Sequence, residues 1–328
     1  MSLGPRRRTF SRVAQRWLDG FGSTLRRSVR REPARADSTG TSWSAFDRLQ
    51  FVVTQPHRTT AGGEHRSRQR APSPDFADYR PYQHGDDVRR IDWNVYGRLG
   101  VLQLRQTEAQ LRMPILILLD CSASMHWGEP DKLGFARDIA LALSRIALAR
   151  SDSVSITCLG RARGSIGPIS GIRQFGALEQ FLSNARSAGR IDVTGQVQAA
   201  LEHFGPSRSA PGLIILISDL LNVPAPPTLF GALRRSANSA VMLHVVSRDE
   251  CEPEPIGDVD LIDAESGQIV EVGLSVDTVR QYRERYEAWR ADMARQSSEH
   301  GIRYVRCMTE RTVQEVVLSD LRAGRVVR

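Results

Sequence analysis

The sequence predicts an α/β protein with a doubly wound, mostly parallel sheet and an amino-terminal β-rich extension. Three observations carry that expectation. Residues 115–119, 212–217 and 240–246 are short, nearly continuous apolar runs, the pattern of strands buried on both faces. Helical patterns lie between them, and strands that alternate with helices build parallel crossover units. Two of the runs lead into a carboxylate, Asp120 and Asp219, and in such sheets ligands sit beyond the carboxyl ends of the strands.

Composition sets the frame. The chain has 328 residues, enough for one large domain or for one plus an accessory piece, and its 41% hydrophobic and 25% charged residues are ordinary for a globular protein. No apolar run reaches the roughly 18 residues of a membrane span, and no apolar core marks a signal peptide. Cys121, Cys158, Cys251 and Cys307 stand far apart without a CxxC pair, so reduced thiols in a cytoplasm are expected rather than a disulfide frame or a zinc site. The net charge of +8 is localised. Residues 1–45 hold ten arginines against Asp19, Glu32 and Asp37, which leaves +1 for the rest of the chain. The body therefore offers no charge argument for nucleic acid. Lys132 is the single lysine beside 44 arginines.

Residues 1–45 read as a basic tail. Phe10, Val13, Trp17, Leu18, Phe21 and Leu25 recur at helical spacing among arginines; an amphipathic helix on an anionic membrane surface and a flexible arm both fit. Residues 46–113 read as the β-rich extension. It holds a strand at 49–53, a polar loop at 58–74, a block of carboxylates, arginines and aromatics at 75–93, and an edge strand within 101–110. In that block Asp86, Asp87 and Asp92 are expected to pair with Arg80, Arg89, Arg90 or Arg98 beneath Trp93, because the opposite charges alternate so closely.

Residues 114–328 read as the main domain. Its first strand is followed by a helix at 132–150, buried along most of its length. An alternating strand at 153–159 and a turn-rich stretch at 164–171, near an edge hairpin, come next. Those glycines lack the Gly-Lys-Ser/Thr of a phosphate loop. Helices at 176–186 and 196–204 precede the second apolar strand, and a short helix at 229–236 precedes the third, where His244 reads as a packed histidine. A hairpin turning at 265–267, a long helix from 276 to about 300, a strand at 302–307 and a helix at 313–321 complete the chain.

Chemistry concentrates where the first strand ends. Asp120, Ser122 and Ser124 all bear oxygen and are spaced by two. A loop leaving the strand there can bring one carboxylate and two hydroxyls to a point suited to a hard divalent cation. Thr194, in a loop before a helical pattern, and Asp219, just beyond Ser218, fit the same point. Helix capping would explain the serines and Thr194, but not an aspartate at a second strand end. The expected metal ligands are therefore Asp120, Ser122, Ser124, Thr194 and Asp219. Ser122 and Ser124 are expected to bind directly, with the carboxylates supplying negative charge, one or both through water. Mg2+ is the expected cofactor, with Mn2+ and Ca2+ as alternatives. Met125, His126 and Trp127 either rim this site or simply pack the loop. No Gly-x-Ser-x-Gly elbow, His-Glu-x-x-His motif or Walker loop is present, and no base adjoins Ser122 or Ser124. Metal-assisted hydrolysis is the competing reading of the same residues.

Asp-x-Ser-x-Ser, then Thr, then Asp after a buried strand resembles the metal-ion-dependent adhesion site of von Willebrand factor A domains. Tyr82, Gly85-Asp86-Asp87, Arg89, Ile91-Asp92-Trp93, Arg98 and Glu108, followed by the motif from Asp120 to Met125, resemble a particular family. It is domain of unknown function 58, the MoxR-associated von Willebrand factor A-like proteins of bacteria and archaea, and the resemblance covers about residues 46 to 325. It implies a von Willebrand factor A-like, Rossmann-like fold for residues 114–328. It implies a metal-dependent binding module in which an acidic side chain of a client protein completes the cation's shell. It also implies a MoxR-type AAA+ ATPase as partner, with the pair acting in assembly or maturation of the client. Many members carry two amino-terminal transmembrane helices, where this chain has the basic tail. The expected location is cytoplasmic, or peripheral at the inner face of a membrane through residues 1–45. Nucleic-acid binding through that tail rests on its arginines alone.

Overall fold

The computed structural model describes residues 8–10, 43–53, 76–83, 88, 91–107, 112–161, 164–187, 189–204, 211–221, 223, 226–254, 257–263 and 268–328. Its strands are β1 (Arg8–Phe10), β2 (Phe76–Pro81), β3 (Gln103–Thr107), β4 (Pro114–Leu119), β5 (Ser153–Cys158), β6 (Ser165–Ser170), β7 (Leu213–Ser218), β8 (Ser239–Val246), β9 (Gly257–Asp263), β10 (Ile269–Leu274) and β11 (Arg303–Met308). Its helices are α1 (Trp93–Leu99), α2 (Lys132–Ala149), α3 (Phe175–Ser183), α4 (Val193–Phe204), α5 (Pro226–Ser236), α6 (Arg248–Cys251) and α7 (Val276–Glu299). A last helical stretch at 313–323 widens to a π-helix over Val316–Asp320. The chain divides into two compact units, residues 1–59 with 113–328, and residues 60–112.

The larger unit is built on a six-stranded sheet in the order β11-β8-β7-β4-β5-β6. All neighbours are parallel except β6, which pairs antiparallel with β5 at one edge. The apolar runs are continuous because both faces of the sheet are covered. Ile115, Ile117 and Leu119 of β4 join one core with Ile215, Leu243 and the apolar residues of α2, α3 and the last helical stretch. Leu116 and Leu118 join a second core with Ile214, Met242, α4, α5 and Met293 of α7. The architecture is thus α/β with a mostly parallel central sheet and helices on both sides, as expected. A separate sheet pairs β9 antiparallel with β10 and parallel with β1. No helix among the described residues is long and apolar enough to cross a membrane.

Residues 43–53, read from sequence as the end of the tail and the start of the extension, belong to the larger unit. Phe46 and Leu49 are buried in the first core. Asp47 grips Arg145 of α2 through two hydrogen bonds of 2.6 and 2.8 Å. The strand expected at 49–53 is reduced to a single bridge, Phe51 with Val327, supported by backbone bonds to Val326 and Arg328. Two edges also differ from expectation. The turn-rich stretch at 164–171 is itself the strand β6, and α4 begins at Val193, which puts Thr194 inside its first turn instead of in the preceding loop.

In the smaller unit β2 and β3 pair antiparallel with a bulge between Phe76 and Asp78. Asp92 caps α1 by accepting from the Asn94 and Val95 N–H groups at 3.0 and 3.3 Å, and Gly100 closes it at a φ of 67°. Trp93 opens α1 facing solvent, 61% exposed, with Tyr96 edge-on at 6.1 Å. Gly85, Asp86, Asp87, Arg89, Arg90 and Glu108, the tail pattern at 11–25, the loop at 58–74 and the hairpin tip at 265–267 lie outside the described residues.

One helix residue carries a pH-dependent cost. Burial pushes the Asp138 carboxyl up to about 6, against the opposing charge of Arg137. A carboxyl raised on folding contributes stability below its unfolded pKa and loses it as pH rises through the folded value. Asp138→Asn is therefore expected to stabilise the fold by ~1 kcal/mol near neutral pH. Thermal melts should show the gain above about pH 6 and its closure below about pH 4.

Candidate functional site

β4 and β7 are adjacent and parallel, with Leu119 opposite Ile217. The residues that follow them, Asp120 and Asp219, therefore emerge side by side at the carboxyl ends of central strands. The Asp120 N–H continues the ladder to the Ile217 carbonyl at 2.9 Å. The Asp120 side chain is wholly buried. Its Oδ1 accepts the Ser122 N–H at 2.8 Å and its Oδ2 accepts the Ser218 hydroxyl at 2.5 Å. Burial and the neighbouring Asp219 charge push its pKa up to about 6, while the Ser218 and Ser122 bonds pull the other way.

After Asp120 the chain turns through a short 3-10 segment, Ala123–Met125. Ser122 precedes that turn but makes no capping bond; its Oγ lies 2.9 Å from that of Ser124. Both serines are buried. The Ala123 N–H donates to the Gly189 carbonyl at 2.9 Å, tying this turn to the segment that enters α4. Thr194 is 8% exposed, and its Oγ1 is buried with no hydrogen-bond partner among the described residues. Unpaired buried polar atoms are rare and call for an explanation. Gly195 follows because Asp192 leans over the first turn: a Cβ there would meet Asp192 Oδ2 at 2.5 Å. Of the residues flanking the motif, Met125 is buried in the first core, and His126 is half-exposed, with its Nδ1 3.1 Å from Asp131.

Asp219 is not isolated. Its Oδ2 accepts from the Lys132 ammonium at 2.8 Å and its Oδ1 from the Leu221 N–H at 3.2 Å. Lys132 is 0% exposed and also reaches Glu250 Oε1 at 2.5 Å. Burial opposes the ammonium charge, but Asp219 and Glu250 more than offset it and hold its pKa above the ordinary lysine value. Burial likewise raises Glu250, against the pull of Lys132. His244, beneath this cluster on β8, is pushed down to about 3 by burial and stays neutral. Three carboxylates, Asp120, Asp219 and Glu250, thus lie near these strand ends, and the Lys132 ammonium is paired with the last two.

The structure brings Asp120, Ser122, Ser124 and Asp219 to one end of the sheet and ties the approach to Thr194 to the same turn. Lys132 and Glu250 are the members that the sequence did not identify. Lys132 carried a faint signal as the single lysine; Glu250, on the four-residue α6, carried none. Among the described residues no group of three or more His, Cys, Asp or Glu is arranged to hold a metal by itself. Any cation here must take hydroxyl oxygens.

Fold and site together define an α/β protein with a mostly parallel sheet and a buried, acidic, hydroxyl-bearing site at the strand ends. The chain belongs to the family described as "Protein of unknown function DUF58", which matches residues 78–296. It is 25% identical over 264 residues to "Uncharacterized protein Rv1480" of Mycobacterium tuberculosis and to "Uncharacterized protein Mb1516" of Mycobacterium bovis. These matches cover 77% of this chain and 80% of each relative. Among solved structures it is similar to the conserved hypothetical protein BatB from Bacteroides thetaiotaomicron, at 16% identity, 65% of this chain, 98% of that one and a TM-score of 0.40. A second is an aerotolerance-related membrane protein from Bacteroides fragilis, at 18% identity, 64% of this chain, 99% of that one and a TM-score of 0.40.

Proposed function

We propose that this chain is a metal-dependent protein-binding module of the von Willebrand factor A type, working as an adaptor for a MoxR-type AAA+ ATPase on a client protein. The observation that carries the reading is the Thr194 hydroxyl, buried with no hydrogen-bond partner among the described residues, in a helix whose approach is tied to the turn after Asp120, together with the buried carboxylates of Asp120 and Asp219 at the ends of adjacent strands. A divalent cation would satisfy the orphaned oxygen and balance the excess negative charge. The donor set is hard oxygen throughout, which suits Mg2+, with Mn2+ and Ca2+ as alternatives. Both Asp120 oxygens are engaged by protein donors, which favours Ser122, Ser124 and Thr194 as direct ligands and the carboxylates as water-mediated ones. Neutral hydroxyl ligands leave the ion with charge to spare, and an acidic side chain of the client is the guest that fits.

The ATPase supplies the work and this chain the client contact. Its place of action is the cytoplasm, with residues 1–45 as a contact to an anionic membrane surface. Hydrolysis at the same site is the weaker reading, because His244 is occupied with Tyr304.

Mg2+ is expected to raise the Tm of the full chain by a few degrees at saturating concentration. Asp120→Ala should abolish that rise. Thr194→Val, which removes the hydroxyl and keeps the side-chain volume, should not lower the Tm in EDTA, since that oxygen has no hydrogen-bond partner among the described residues. A Mg2+-independent Tm in the wild type, or a rise that survives Asp120→Ala, would sink the metal site. Co-purification of the ATPase to the same extent with Asp120→Ala and in EDTA would sink the metal-bridged adaptor.

A further inference from the structure

We propose that Lys132 is a resident cation of this site, sharing Asp219 with the incoming divalent ion and keeping that ion's binding weak until a guest carboxylate joins it. The inference rests on the metal-site reading above and adds to it a residue that sets affinity. Lys132 opens α2, the helix that follows the metal loop, and its side chain is wholly buried. Its ammonium lies 2.8 Å from Asp219 Oδ2, and the other Asp219 oxygen is held by Leu221. Neither oxygen is therefore idle, and a divalent ion drawing on Asp219 meets a like charge in a low-dielectric pocket. That charge cannot retreat to water, because no exposed path leads from a fully buried ammonium and repulsion at such range is only weakly screened.

Glu250 decides how strongly Lys132 leans on Asp219. It takes the same ammonium at 2.5 Å. It is also fixed in place: its Oε2 accepts the Ser247 N–H at 3.2 Å, and Tyr282 Oη donates to its carbonyl at 2.6 Å. Glu250 thus draws the ammonium partly off Asp219. Two substitutions should then move metal affinity in opposite directions. Removing the ammonium frees Asp219 for the ion; removing the Glu250 charge leaves the ammonium wholly to Asp219. A lysine that merely cements the fold would change stability in both variants without this opposition in affinity.

The test is calorimetric titration of the full-length chain with Mg2+, repeated with Mn2+. Four proteins are compared: wild type, Lys132→Met, Glu250→Gln and Lys132→Met/Glu250→Gln. Lys132→Met is expected to bind about tenfold tighter than wild type, and Glu250→Gln about tenfold weaker. The double variant carries the same total site charge as the wild type and leaves no carboxylate without its former counter-charge except Asp219. It guards against misfolding of the single variant, and it too should bind tighter than wild type. Equal affinity in all four proteins, or weaker binding by a folded double variant, overturns the role of Lys132 and leaves the metal site standing. No binding by any of the four overturns the metal site itself, and this inference with it.

Discussion

Phe46→Ala is expected to destabilise the larger unit by about 4 kcal/mol, although Phe46 lies far from the sheet in sequence. Its side chain is 0% exposed and sits in the first core with α2 and the carboxyl-terminal residues Val326 and Val327. Trp43 packs against it at a ring separation of 6.3 Å and against Phe175 of α3 at 5.9 Å. The segment is held from outside as well: Arg145 grips Asp47, and Arg303 donates to the Val52 carbonyl at 2.6 Å. Truncating the ring empties a cavity that these anchors prevent from collapsing. Urea unfolding should show a lower midpoint at unchanged slope. A loss below about 1 kcal/mol would mean that residues 43–53 lie on the larger unit without stabilising it.

Ile117→Ala is expected to cost a similar amount, about 4 kcal/mol. Ile117 lies at the middle of β4 with Ile156 and Ile215 beside it on the neighbouring strands. It is 0% exposed and points into the first core between β4 and α2. Both neighbouring strands are fixed by their own ladders, so the void left by the three lost carbons cannot be filled from the sides. The same urea experiment reads it. A comparison with Thr194→Val in EDTA separates a core position from a site position: the first should lose stability heavily and the second should keep it.

The difference between these residues explains what could be read in advance. β4, β7 and β8 were legible because a strand covered on both faces must be apolar at every position, and the odd and even residues of β4 do divide between the two cores. Asp120, Ser122 and Ser124 were legible because a spacing of two is a local property. Phe46 was not, since one aromatic in a short turn has no period to betray it, and its partners come from the far end of the chain. Glu250 was hidden for the same reason. Its helix has four residues, and the ammonium it meets lies 118 positions away, as Asp219 lies 87 from that ammonium. Side-chain pairing over such separations leaves no trace in composition or spacing.

The burial of Lys132 has a practical corollary. It is the chain's single lysine, and it lies with no accessible surface between two carboxylates. Reagents that acylate amines should therefore spare this side chain on the folded protein and reach it only on unfolding, so that its modification reports the opening of the sheet end without any change of sequence.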